Sequence, residues 1–301
     1  MSQSAIITFV LTAVLILSAE LAHAAKDSAY EPSAEPMTVS YLKLDSFDAH
    51  YSYRYQLIER ALELTRAEFG NYRVKPYTSQ STSTRYAQLL GEGLQLNLLW
   101  ASPGTPIANA NAIVIPIDML KGLLGYRACL IDQNALPSLD FVNDMNAFEK
   151  IRFGQAQWPD RAIYQANKLI EVDAPNFDNL FKMLSAERFD CIPLGIDEVE
   201  QVYLDKKIEY PFLGIDSHLL IYYHYPVYFY VSKKTPELAQ RLKLGLQKMQ
   251  NNGEFNQLFV KYHAEHLARL NLNKRKIFCL KSPYSVEQGE CVLPNIDSDH
   301  P

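Results

Sequence analysis

Few side chains in this sequence have the types and spacing that bond-making chemistry needs. The four cysteines are Cys129, Cys191, Cys279 and Cys291, and their spacings do not match a zinc site. His263 and His266 stand three residues apart with Glu265 between them. A zinc-protease helix needs its two histidines four apart with the glutamate after the first, so an amphipathic helix accounts for this trio. There is no G-x-S-x-G, no H-E-x-x-H and no glycine-rich phosphate loop. The expectation is a chain that is not an enzyme and that uses no metal and no cofactor.

The bulk numbers narrow the class further. Of 301 residues, 48 % are hydrophobic and 21 % charged, enough to bury one large core or two smaller ones. Asp and Glu (34) outnumber Lys and Arg (29), for a net charge of −5. No basic excess is present for a nucleic-acid partner. No Gly/Ser- or Pro-rich tract, like-charge block or repeat at solenoid spacing divides the chain.

The N-terminus differs from the rest. Ala5 to Ala19 is apolar (AIITFVLTAVLILSA) and is followed by Glu20 and Ala22-His23-Ala24. A run of about 15 apolar residues before a small-x-small triplet reads as an export signal cleaved after Ala24, and it is short for a membrane span of roughly 20. Met1–Ser4 carries no Lys or Arg, which leaves an uncleaved anchor or a buried helix as alternatives. Export to the periplasm places the cysteines in an oxidising compartment. Cys279 and Cys291 would close a short loop that pins the C-terminal tail. Cys129 and Cys191 lie in apolar strand-like runs, where a second bridge and two buried thiols are both compatible with the pattern.

Behind this leader, strand and helix patterns alternate. Thr38–Leu44, Tyr72–Thr78, Leu96–Ser102 and Ala112–Ile117 read as strands. Between the first two, Tyr53–Glu68 reads as a helix ended by Gly70, and the Ser/Thr cluster at 79–84 caps a second helix. A second block repeats the theme. Its strands are Tyr126–Ile131, Ile151–Gln157, Leu169–Val172 and Phe189–Leu194, and its helices start at Trp158-Pro159-Asp160, Phe177 and Asp197. Then come a long aromatic strand-like run, Leu219–Val231, and two helices, one opened by Thr235-Pro236-Glu237 and one from Glu254 to about Leu270. Alternating strands and helices predict mainly parallel sheets covered by helices, and two such blocks predict two lobes.

Three passages carry a resemblance. They are Thr84-Arg85 through Gly91-Glu92-Gly93 to Leu98-Leu99-Trp100, Asn179–Gly195 (NLFKMLSAERFDCIPLG) and Tyr228–Phe259. In this order they resemble the type II periplasmic solute-binding proteins, the family-3 group of amino-acid importers. Gly122–Arg127, Trp158-Pro159-Asp160 and Pro193-Leu194-Gly195 look like an orphan branch of it. The resemblance covers about Met37 to Ala268. It implies an α/β fold of two lobes, the first at 37–119 plus 220–268 and the second at 124–214, followed by an extension at 269–301. It also implies hinge crossings near Asp118–Gly122 and Gly214–His218 and a ligand at the carboxyl ends of the strands.

The departures from that family bear on the ligand. Amino-acid binders of the group hold the α-carboxylate with an Arg before the first crossing, where this chain has Pro106–Asn111 without one. They hold the α-amino group with an Asp at the position matching Gly195, and the nearest acid here is Asp197. The cleft candidates that remain are Arg85, Trp100, Ser102, Asn109, Gln155, Trp158 and Asp197. They suit stacking and hydrogen bonding to a less charged, ring-containing solute rather than to a free amino acid. Trp100 and Trp158 also fit as packing residues, Arg85 as a solvated partner of Glu92, Asp160 as a helix cap and Arg127 as a hinge-side ion pair. The expected function is binding of a small polar solute by a monomer for delivery to an inner-membrane permease of an ABC-type importer. The alternative is a sensor or interaction module that acts on a receptor through a degenerate cleft. The extension could be a partner surface or a tail packed back on the first lobe.

Overall fold

The computed structural model describes residues 35–43, 49–135, 139–286 and 291–293. The expected export signal lies outside the described residues. No helix among the described residues is long and apolar enough to cross a membrane.

Two sheets share one strand order. The first contains β1 (Met37–Val39), β2 (Tyr72–Val74), β3 (Leu98–Ala101), β4 (Ala112–Ile115) and β11 (Tyr228–Ser232). β1 pairs with β2 in parallel, a bridge from Tyr41 to Leu98 ties β1 to β3, and β11 lies antiparallel between β3 and β4. The second contains β5 (Tyr126–Asp132), β6 (Arg152–Gln155), β7 (Ile170–Asp173), β8 (Ile192–Gly195) and β9 (Leu213–Ile215). Here β6 pairs with β7 in parallel and bridges to Cys191 beside β8, while β5 lies antiparallel between β8 and β9. Each sheet thus reads 2-1-3-n-4, where n is the strand that arrives from the other lobe. Because n must enter from the opposite direction, each sheet is mixed, and antiparallel pairs stand beside the expected parallel ones.

Helices cover the sheets. In the first lobe α1 (Ala49–Glu63) packs against α6 (Pro236–Asn251) and α7 (Glu254–Arg269), and α2 (Ser83–Glu92) is capped by Thr82, whose hydroxyl accepts from Arg85 N. The second lobe carries α3 (Arg161–Ala166), α4 (Phe177–Ser185) and α5 (Val199–Lys206). Tyr53, Leu57, Ile58, Ala61 and Leu62 of α1 are fully buried, the stripe expected from their spacing. The expected helix is broken at Leu64–Thr65 and resumes as one turn at Arg66–Phe69, which Gly70 ends as expected. The Thr65 hydroxyl donates back to Ala61 O (2.8 Å), and buried Arg241 donates to Leu62 O and Gly70 O (both 2.9 Å). The guanidinium satisfies the carbonyls that a helix end leaves free, at the pole where positive charge is favoured. His263 is 1 % exposed, with its ring 5.0 Å from that of Tyr53 and 4.8 Å from that of Phe259. It is a core residue of α7. No cluster of three or more His, Cys, Asp or Glu among the described residues is placed to hold a metal ion.

The crossings differ in part from expectation. Asp118 lies at the first and clips both. Its carboxylate accepts from Leu120 N and Val227 N (both 3.0 Å) and from Gly122 N (2.7 Å). Burial pushes its carboxyl above the usual range, against those three N–H groups. The run Leu219–Val231 is not one strand. β10 (Leu219–Tyr222) pairs antiparallel with β5 in the second lobe, while β11 belongs to the first. The return crossing is therefore Tyr223–Val227, later than Gly214–His218, with Pro226 at the point where no sheet N–H is needed.

The extension packs mainly on the β10 edge and the second lobe rather than back on the first lobe. β12 (Lys276–Cys279) adds in parallel to β10, and Phe278 stacks on Phe148 of the second lobe at 4.4 Å. Both cysteine pairs are bridged, Cys279 to Cys291 and Cys129 to Cys191, and no described cysteine is free.

Two predictions follow from packing and loop length. A Cβ on Gly245 of α6 would overlap the Ala61 carbonyl, whereas one on Gly91 of α2 meets nothing within 4 Å. Gly245→Ala should lower stability by about 2 kcal/mol and Gly91→Ala should raise it by about 0.5 kcal/mol, measured by denaturant unfolding. The Cys129–Cys191 loop spans 62 residues and the Cys279–Cys291 loop 12. Removing the first bridge should cost about 4 kcal/mol and the second about 3 kcal/mol in the same assay.

Candidate functional site

The cavity between the two sheets has a volume of about 210 Å³. The first lobe gives Ser102, just past β3. The return crossing gives Tyr225, and Leu124 stands where the chain enters the second lobe. The second lobe gives Arg127, Trp158, Pro159, Asp160, Pro193, Leu194 and Glu198. The second-lobe groups come from the carboxyl ends of β6 and β8 and from the first residues of β5, where an α/β sheet exposes helix N-termini and loop polar groups.

Strand register brings the charged group together. Arg127 on β5 lies opposite Ile221 on β10, so Tyr223, two residues on, shares its face. Arg127 Nε donates to the Tyr223 hydroxyl (2.6 Å), which donates to Asp160 Oδ2 (2.6 Å), and Arg127 Nη2 closes the triangle to Asp160 Oδ2 (2.9 Å). The Arg127 and Asp160 side chains are each 7 % exposed. Burial works against the Arg127 charge, but Tyr223, Asp160 and Glu198 outweigh it, and the guanidinium is held well above its ordinary range. Burial likewise pushes the Tyr223 hydroxyl well up, so it stays a proton donor. Asp160 stands at the cap position of α3 but makes no side-chain cap there. Its carboxylate serves Arg127 instead.

Glu198 extends the group. Its Oε1 accepts from Gly195 N (3.0 Å), lies 3.6 Å from Arg127 Nη1, and its side chain is 45 % exposed. A Cβ on Gly195 would collide with Asp197 Oδ1 and sit 3.0 Å from Arg127 Nη1. An aspartate at position 195, where the resemblance would place one, would have to push the Asp197 side chain aside and would stand against Arg127.

The structure brings Ser102 and Trp158 to the cavity wall, and Asp197 stands beside Gly195 just behind it. Trp100 is half-buried on β3, 6.1 Å from the Tyr55 ring with the Arg54 guanidinium over its face at 5.5 Å. Gln155 is fully buried at the end of β6, with no hydrogen-bond partner for its side-chain amide. Asn109 is exposed on the loop after β3. Arg85 lies along the α2 surface, 3.3 Å from Gln88 Oε1 and 3.6 Å from Glu92 Oε1. These last four do not line the cavity. The sequence also offers Arg127, Asp160 and the aromatic run Tyr222–Tyr230, each of which reads more readily as packing, ion pair or cap, whereas Glu198 carries no local signal. The aromatic run from Tyr222 to Tyr230 was a signal, but its period-2 pattern does not show where one sheet ends and the other begins.

The triangle predicts two substitution effects. Tyr223→Phe removes the relay and should cost about 1.5 kcal/mol. Gly195→Asp should cost about 2 kcal/mol through overpacking. Thermal or urea unfolding checks both.

No protein-family model and no curated protein matches the sequence. Solved structures do. The probable amino-acid ABC transporter extracellular-binding protein from Bacillus subtilis is 12 % identical, with a TM-score of 0.51, over 77 % of this chain and 99 % of that one. A Salmonella typhimurium periplasmic binding protein with high arginine specificity is 13 % identical, with a TM-score of 0.47, over 75 % of this chain and 99 % of that one. A histidine kinase sensor domain with similarity to periplasmic binding proteins is 13 % identical, with a TM-score of 0.48, over 76 % of this chain and 96 % of that one. Strand order, mixed pairing and the Bacillus subtilis match together give the architecture: this chain has the two-lobed α/β fold of the type II periplasmic binding proteins.

Proposed function

We propose that the protein binds a small polar solute in the cavity between its lobes, in the periplasm, and delivers it to an ABC-type importer. The observation that carries this reading is that both lobes and the return crossing line one cavity with polar and aromatic groups. Hinge closure over a guest is the use such an arrangement supports. Among the described residues lining it, Arg127 is the one cation, and Asp160, Tyr223 and Glu198 already engage it. A solute carboxylate would have to compete with those partners for a guanidinium already paired and 7 % exposed, which disfavours a free amino acid. Trp158 and Tyr225 offer ring faces, and Ser102 and Glu198 offer hydrogen bonds, so a neutral or weakly cationic solute with a ring fits best.

The second reading is a sensor or interaction module whose cleft needs no guest. It is favoured by a bond that fixes the return crossing to the first lobe without a solute: the Tyr225 hydroxyl donates to Pro103 O at 2.9 Å.

A thermal-shift screen of the chain from residue 25 onward separates the readings. A saturating solute at 100 times its Kd adds about 2.7 kcal/mol to folded-state stability, a readily measured rise in midpoint. Ring-containing neutral solutes should raise the midpoint, Trp158→Ala should abolish the rise, and Arg85→Ala should leave it intact. A rise with free amino acids alone would contradict the solute class. No rise with any class would favour the second reading.

A further inference from the structure

One side chain from the C-terminal extension touches both lobes. The Tyr284 hydroxyl donates to Pro159 O (2.6 Å), in the turn that opens α3 on the second lobe. Its ring lies 6.1 Å from that of Tyr225. On the other side it meets Gly104, in the first-lobe loop after β3. A Cβ built there would lie 2.5 Å from the Tyr284 hydroxyl and 2.7 Å from its Cζ. Gly104 has φ +80°, which also suits glycine.

The segment that carries Tyr284 is anchored firmly to the second lobe and the β10 edge. All four residues of β12 pair with all four of β10. The side-chain amide of Asn167 donates to Lys281 O (2.8 Å) and accepts from Lys281 N (3.0 Å). Arg275, 8 % exposed, donates to Leu270 O (2.9 Å) and Leu219 O (3.0 Å). The Tyr126 hydroxyl donates to Val292 O (2.8 Å), next to the bridged Cys291. Tyr284 is thus fixed from one lobe and presses on the other.

We propose that Tyr284 is an interlobe clasp that limits access to the cavity. Because its anchor belongs to the second lobe and its contact at Gly104 to the first, the lobes cannot part without breaking that contact. The extension then holds the cleft shut with no solute present. The inference rests on the cavity lying between two hinged lobes and not on any solute. A cavity that takes up no solute would leave it standing.

The protein carries two tryptophans, Trp100 and Trp158, and Trp158 lines the cavity. In a Trp100→Phe background, acrylamide quenching of Trp158 reports how open the cleft is. Tyr284→Ala should raise the quenching constant about twofold and increase the radius of gyration in small-angle scattering, as a shift toward open lobes requires. Tyr284→Phe keeps the ring near Gly104 but loses the hydroxyl, and with it the bond to Pro159 O and the nearest atom to Gly104, so its rise should be smaller but measurable. Because Tyr284→Phe removes a single hydroxyl, it also guards the test against a folding failure of the alanine variant. Quenching and scattering equal to the parent's in both variants would overturn the clasp.

Discussion

A single buried triangle, Arg127–Tyr223–Asp160, fixes what the cleft can do. A guanidinium out of water is costly unless it is paired and fully hydrogen-bonded. Here Asp160 supplies the counter-charge, and Tyr223 accepts from one component and donates to the other. The three residues come from β5, from the crossing after β10 and from the start of α3, so the contact also joins a lobe to its hinge. Once Arg127 is held, a side chain at position 195 would have to displace the Asp197 carboxylate and sit against Arg127. The cation that lines the cavity is thereby used internally, and a guest meets ring faces, a serine and the half-exposed Glu198.

The fold was largely legible in the sequence because it rests on short-range patterns. The apolar spacing of Leu57, Ile58, Ala61 and Leu62 marks the buried face of α1. The Thr82 cap marks the start of α2, and alternating strand and helix runs indicate two lobes. The misjudged features are ones that such patterns do not encode. The break after α1 depends on Thr65 bonding back to Ala61 O and on Arg241, far along the chain, reaching Leu62 O. The run from Leu219 to Val231 divides between two sheets because β10 finds an edge on β5 and β11 a gap between β3 and β4.

The site was less legible for the same reason. Trp158 and Ser102 sit at element ends, and their neighbours in sequence predict their place. Arg127 and Asp160 have ordinary bland roles at their positions, as an ion-pair residue and a helix cap. Only the register of β5 on β10 shows that they meet across Tyr223. Arg85 suits a cleft by analogy, yet its helix directs it along the surface to Gln88 and Glu92. A tail fastened beside the hinge strand by β12 depends on a pairing between segments more than 50 residues apart, which no local pattern announces.

The most direct test of this account is a double-mutant cycle on Arg127 and Asp160. It uses Arg127→Met, Asp160→Asn and the double variant, with unfolding free energies measured in urea at neutral pH. A cavity-lining cation engaged by its own carboxylate predicts a coupling energy of about 3 kcal/mol, since each single change strands a buried group that the double change removes. Additive losses would show that the pair is not coupled, and the cleft's cation would then be free to grip an anionic guest.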